Sequence, residues 1–203
     1  MQKINNTSLK NYNSFGIDAI SSSFNIVNSE LEITSFLKET NYTQPIILGG
    51  GTNILFKNDV DKDILKINLK GIKIYNETNT YVDVSVGAGE IWDDLVKWSI
   101  AKNYGGLQNL SLIPGNVGSA PIQNIGAYGS EVSNFVNYIE TFNLEKGRFE
   151  VFSNEACNFS YRDSLFKNNP HLMITKVCLD LSNTFKPNTQ YESLPKEVIN
   201  AKE

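Results

Sequence analysis

The sequence predicts an α+β chain folded in two lobes. Three observations carry this: one amphipathic helix and several short apolar strands in the first third, a second amphipathic helix near the middle, and a run of hairpin-linked strands beyond a glycine-rich loop. Helices and strands do not alternate regularly, which argues against a doubly wound parallel sheet.

In chain order, residues 29–39 place Ile33, Phe36 and Leu37 on one helix face, with Asn28 or Ser29 as the cap. Residues 45–48 read as a buried strand that runs into Gly49-Gly50-Gly51-Thr52-Asn53, and the apolar run Ile54-Leu55-Phe56 reads as another strand after that turn. Residues 63–69 and 72–75 are two further strands around Lys70-Gly71. Residues 81–86 alternate Val82, Val84 and Val86 with Asp83 and Ser85, the pattern of a half-buried strand. Residues 90–103 form the second helix, with Ile91, Leu95, Trp98 and Ala101 at helical spacing and Gly105-Gly106 as the stop. Residues 138–144 and 148–152 flank Glu145-Lys146-Gly147 as a hairpin, and residues 172–181 make the last strand. The lobes are expected at 1–72 and 73–185, and residues 194–199 read as the start of a helix.

Composition narrows the function classes. Hydrophobic content of 40% and charged content of 20% are those of a folded globular chain. No segment is apolar over the ~20 residues that a membrane helix needs, and the N-terminus lacks a signal-peptide pattern, so a cytoplasmic location without membrane contact is expected. A net charge of −4 with scattered lysines argues against nucleic-acid binding. Cys157 and Cys178 read as core thiols, and His171, the only histidine, follows Pro170 in a polar turn, which argues against a histidine-based metal site or a Ser-His-Asp triad.

Three segments carry chemistry. The stretch 111–129, Ser-Leu-Ile-Pro-Gly-Asn-Val-Gly-Ser-Ala-Pro-Ile-Gln-Asn-Ile-Gly-Ala-Tyr-Gly, holds four glycines, two prolines and no charge. Leu112, Ile113, Val117, Ile122 and Ile125 require burial, so the stretch is an ordered loop and not a linker. Gly115, Gly118, Gly126 and Gly129 permit close backbone approach to a ligand, and Ser119, Gln123 and Asn124 offer neutral groups that read a heterocycle's edge; an Ω-type loop without a ligand is the alternative. Gly49, Gly50 and Gly51 leave backbone N–H groups free to gather as a phosphate nest, or simply make a turn. No Walker or Rossmann spacing is present. In Phe159-Ser160-Tyr161-Arg162-Asp163, the planar, permanently charged fork of Arg162 suits a carboxylate and a developing enolate-like charge, or else pairs with Asp163.

Taken in order, these segments resemble the UDP-N-acetylenolpyruvoylglucosamine reductase family. Asn13-Ser14-Phe15-Gly16-Ile17 and Val86-Gly87-Ala88-Gly89-Glu90-Ile91-Trp92 extend the resemblance, which runs from Asn13 to Tyr191. It implies a two-lobed FAD-binding fold of the vanillyl-alcohol oxidase/PCMH type. By match to the family's motifs, Gly49, Gly50, Gly51, Thr52 and Asn53 line the FAD pyrophosphate, Thr52 standing where the family often has serine. The segment from Pro114 through Gly115 to Gly118 passes along the cofactor, and Ser119, Ile122, Gln123, Asn124 and Gly126 surround the flavin. Tyr161 and Arg162 match the active-site pair, with Arg162 holding the substrate carboxylate. The resemblance also implies NADPH as hydride donor, a UDP-sugar enolpyruvyl ether as substrate and UDP-N-acetylmuramate as product; a monomer is expected.

Against that pattern, nothing here matches the family's substrate-binding domain or its C-terminal segment, and residues 186–203 stand where that domain begins. Two expectations follow, a reductase known here through part of its chain, or an FAD-binding module without turnover. Another oxidase of the same fold is disfavoured by the middle motif together with Tyr161-Arg162.

Overall fold

The structure, a computed structural model, describes residues 1–39 and 44–186. β1 (Gln2–Ser8) pairs antiparallel with β2 (Ile20–Val27), and α1 (Glu30–Glu39) then leads to β3 (Ile46–Leu48) and β4 (Ile64–Ile67). The strand order is β1-β2-β4-β3, with β4 parallel to both of its neighbours. Crossovers are needed to bring parallel strands side by side, and α1 supplies the one between β2 and β3. Ile33 and Phe36 are its buried residues, as the helical spacing requires.

The second sheet begins at β5 (Ile72–Glu77) and β6 (Tyr81–Gly87), which are followed by α2 (Trp92–Ala101). A long connection contains the two-residue strands β7 (Gly126–Ala127) and β8 (Ser130–Glu131). Then come β9 (Val136–Asn143), β10 (Arg148–Ser153) and β11 (Leu172–Ser182). The order β10-β9-β11-β6-β5 is antiparallel throughout. The chain passes from one sheet to the other between Ile67 and Ile72.

One apolar core crosses that division: Val27, Phe36, Leu65 and Ile67 pack in the same cluster as Val84, Leu95, Ile139 and Val177. A smaller cluster, including Leu9, Phe24, Leu48, Phe56 and Ile64, fills the other face of the first sheet. Both cysteines are buried free thiols, and burial pushes Cys157 up to about 12.

Several expectations are corrected. Ile54-Leu55-Phe56 is irregular and not a strand, because Phe56 is anchored in the smaller core while Leu55 is exposed and the backbone joins no ladder. β1 and β2 were not expected, since β1 is polar and largely exposed. In α2 the buried residues are Trp92, Leu95, Val96 and Ser99, so the inward face is displaced from the one expected, and Ile91 and Ala101 are exposed. Ser85 is buried along with Val84 and Val86, so β6 is covered on both faces. Leu112 is 81% exposed. It has a left-handed backbone (φ 61) that turns its side chain out of the loop, whereas Val117 is fully buried. The helix expected at 194–199 lies outside the described residues.

Candidate flavin and carboxylate site

The glycine turn leaves β3 at the carboxyl end of the parallel strands, the end where ligands settle on such sheets. It is locked from two sides. Gly51 has φ 68, and a Cβ there would lie 1.9 Å from the Tyr12 carbonyl oxygen, so only glycine allows this contact. Ser14 N–H donates to the Gly51 carbonyl at 3.0 Å. The Asn13 amide organises that approach, donating to the Leu9 and Ile17 carbonyls at 2.7 and 2.9 Å and accepting from Ile17 N–H at 3.0 Å. This explains the Asn13-Ser14-Phe15-Gly16-Ile17 motif as a strap around the turn. On the opposite side, a Cβ on Gly50 would lie 2.7 Å from Asn116 Oδ1 and 3.1 Å from Gly115 Cα. Among the described residues, the backbone N–H groups of Gly50, Gly51, Thr52 and Asn53 donate to no partner.

The long loop therefore starts against the glycine turn. Thr52 Oγ1 donates to the Pro114 carbonyl at 3.4 Å, and the Asn116 amide donates to the Gly89 carbonyl at 2.6 Å. Ser119 Oγ donates to Asn116 O at 2.7 Å and accepts from Asn116 N–H at 3.2 Å, closing a tight turn. The start of α2 and the end of β6 fasten this segment: Trp92 N–H donates to Gly115 O at 3.0 Å, and Gly118 N–H to Ala88 O at 2.9 Å.

Arg162 is held by the far end of the same loop. Its guanidinium donates from Nη1 to the Asn124 carbonyl at 3.2 Å and from Nη2 to the Gly126 carbonyl at 2.6 Å. Lys167, not Arg162, pairs with Asp163, at 3.7 Å, and among the described residues Arg162 forms no ion pair, which removes the Asp163 alternative. Tyr161 is 81% exposed, with the Arg162 Cζ 5.3 Å from its ring centroid. Asn124 is fully buried and joins the parts: its amide donates to Glu131 Oε2 at 2.7 Å and to the Ser160 carbonyl at 3.0 Å, and it accepts from Ser133 N–H at 3.1 Å.

One loop thus links the glycine turn to Arg162. The side chains of Ser119 and Asn124 are engaged within the protein, so they shape the site from behind rather than face open space. Gln123 and Ile122 are partly exposed, Asn53 is exposed, and Ser164 Oγ donates to the Ile122 carbonyl at 2.9 Å. Two cavities lie elsewhere and contain none of the expected site residues. One of ≈ 310 Å³ is lined by Ser29, Lys70, Tyr75 and Lys176, and one of ≈ 400 Å³ by Gly106, Gln108, Phe135 and Ser182. The expected site lies along the loops that join the glycine turn to Arg162. Sequence reasoning missed Lys66, whose Nζ donates to the Gly49 carbonyl, and Glu131; a lysine inside Ile-Leu-Lys-Ile was the available signal for the first.

Residues 24–153 match a family described as "FAD binding domain", and the chain belongs to that family. It is also similar to the UDP-N-acetylenolpyruvoylglucosamine reductase of Flavobacterium johnsoniae, 44% identical over 201 residues that cover 98% of this chain and 60% of the relative. The solved UDP-N-acetylenolpyruvylglucosamine reductase of Thermus caldophilus superposes with a TM-score of 0.70 at 25% identity, covering 98% of this chain and 65% of that one. A cholesterol oxidase from Brevibacterium sterolicum shares the fold alone, with a TM-score of 0.61 at 14% identity over 89% of this chain and 38% of that one. The chain spans about 60% of the length of the curated relative from Flavobacterium johnsoniae.

Proposed function

We propose that this chain supplies the FAD-holding part of a cytoplasmic reductase that uses NADPH to reduce the enolpyruvyl ether of UDP-N-acetylglucosamine to UDP-N-acetylmuramate, a step of peptidoglycan precursor synthesis. The observation that carries the reading is the single loop whose start packs on the glycine turn and whose end holds an Arg162 free of any acidic partner among the described residues. The similarity over nearly the whole chain to a reductase of that name supports the substrate class.

The residues present fit a dinucleotide. Four backbone N–H groups at positions 50–53, without partners among the described residues, suit the oxygens of a diphosphate, and the absence of a Cβ on Gly50 lets the turn pack directly on Gly115 and Asn116. Pro114, Gly115 and Gly118 would then run along the cofactor, with Ile122, Gln123 and Gly126 nearer the ring. Bound FAD supplies hydride transfer, which no side chain can perform.

Arg162 holds the substrate carboxylate with the guanidinium donors not engaged by Asn124 and Gly126. A fixed positive charge there stabilises the negative charge that develops when the double bond conjugated to the carboxylate accepts hydride. Tyr161 lies beside the guanidinium in a cation–π contact. The UDP moiety and the proton donor are assigned to the portion of the relatives' length that this chain does not span.

The visible spectrum of the 203-residue chain, taken after incubation with FAD and removal of free cofactor, tests the reading. A retained flavin band that NADPH bleaches is expected. A folded chain that retains no flavin overturns it.

A further inference from the structure

We infer that Lys66 is the cationic partner of the anion held at the glycine turn, the diphosphate of the flavin dinucleotide. The inference rests on the FAD reading above and adds to it a residue outside the glycine motif.

Lys66 is out of place as a packing residue. It lies in the interior strand β4 between buried neighbours, in the order Ile64, Leu65, Lys66, Ile67. The parallel register pairs it with Leu48, the residue immediately before the glycine turn, so the strand itself brings the lysine to the turn. Its Nζ donates to the Gly49 carbonyl, which accounts for one of three ammonium donors. No carboxylate pairs with it among the described residues. Burial depresses its pKa, and the nearby charge of Lys70 depresses it further. Lys70 itself is satisfied differently, donating to the Gly89 carbonyl at 2.6 Å and pairing with Glu90 at 3.5 Å.

A partly buried ammonium without a counter-ion is unfavourable, and one beside a like charge is more so. The undonated N–H groups at positions 50–53 are an independent observation at the same turn, and they too call for negative charge. A diphosphate satisfies both, because its oxygens accept from the N–H groups while its charge compensates the ammonium. A lysine ammonium serves a phosphate as a point charge, complementing the directional N–H donors of the loop.

Three probes separate the parts of the ligand: FAD, ADP as diphosphate without flavin, and riboflavin as flavin without diphosphate. Lys66→Met is expected to weaken FAD and ADP binding by about tenfold or more while leaving riboflavin binding unchanged. Lys66→Arg, which keeps the charge, is expected to stay within about threefold of the wild type for FAD. Equal FAD affinity in Lys66→Met and wild type overturns the inference, as does an equal loss for FAD and riboflavin. Should Lys66→Met not fold, the wild-type chain answers alone. Acetic anhydride labelling followed by mass spectrometry is expected to show Lys66 protected by FAD and not by riboflavin; labelling at the same rate with both overturns the assignment. A wild-type chain that binds no FAD overturns the function reading itself, and that result is visible before any variant is made.

Discussion

Arg162 combines a charge with a backbone conformation that arginine rarely adopts. Its φ is 54, a left-handed value that costs a non-glycine residue roughly 1–2 kcal/mol. The protein keeps it there by the two guanidinium bonds to Asn124 and Gly126 and by Lys167 Nζ, which donates to the Arg162 carbonyl at 3.0 Å. A glycine would adopt the same backbone without strain, so local stability does not explain the arginine. Arg162→Gly should therefore separate stability from function. Relief of strain offsets part of the lost hydrogen bonds, and the net change in folding free energy is expected within about 2 kcal/mol. Flavin should remain bound, while turnover in the reductase-competent protein should fall by about 10²-fold or more. Melting temperature, flavin stoichiometry and turnover measured on one preparation check this, and undiminished turnover refutes the role given to Arg162.

At the level of elements, the site depends on turns that tolerate no extra atoms. Gly51 and Gly147 share a left-handed backbone, at φ 68 and 65, but a Cβ on Gly51 would strike the Tyr12 carbonyl, whereas one on Gly147 meets nothing within 4 Å. Gly147→Ala should thus cost only about 1 kcal/mol, the backbone penalty, and Gly51→Ala roughly 2–4 kcal/mol, because overpacking adds to the same penalty. Parallel thermal melts of the two variants measure the difference, and equal destabilisation would mean that the strap at Tyr12 does not hold the turn. The legibility of the elements follows the same physics. α1 was readable because its buried residues Ile33 and Phe36 repeat with a helical period, β4 because it is a short apolar run, β6 because Val82, Val84 and Val86 alternate in the sequence even though the fold buries Ser85 as well, and the β9–β10 hairpin because a glycine-containing turn separates two apolar runs. β1 was not, since Gln2, Lys3, Asn5 and Asn6 face solvent and its order comes from pairing with β2. The inward face of α2 was misplaced because Trp98 and Ala101 keep helical spacing with Leu95 while the fold buries Val96 and Ser99 instead. In the site, the glycine turn and Arg162 were visible as residue types. The role of Asn124 as a buried joint was not, because it depends on Glu131, Ser133 and Ser160, brought together only by tertiary structure.

Over the whole molecule, two sheets of different construction share one apolar core. The first is mostly parallel, the second antiparallel, and the chain crosses between them once among the residues 67–72. Two lobes with separate cores would unfold in separate steps. Here Leu65, in the first sheet and fully buried, belongs to the cluster that contains Val84 and Val177 of the second. The glycine turn adds polar contacts across the same boundary, since Gly50 lies against Asn116 and Gly115. Denaturant unfolding should accordingly be a single transition. Far-UV circular dichroism, which reports both sheets, and fluorescence of Trp92 and Trp98, which lie on α2, should give coincident midpoints. Leu65→Ala removes a fully buried side chain from the first sheet and should lower the whole transition by about 2–5 kcal/mol. If the tryptophan signal kept its wild-type midpoint while the dichroism split in two, the lobes would be independent. The seam that carries the flavin site would then be a docking contact between two domains rather than a part of one cooperative core.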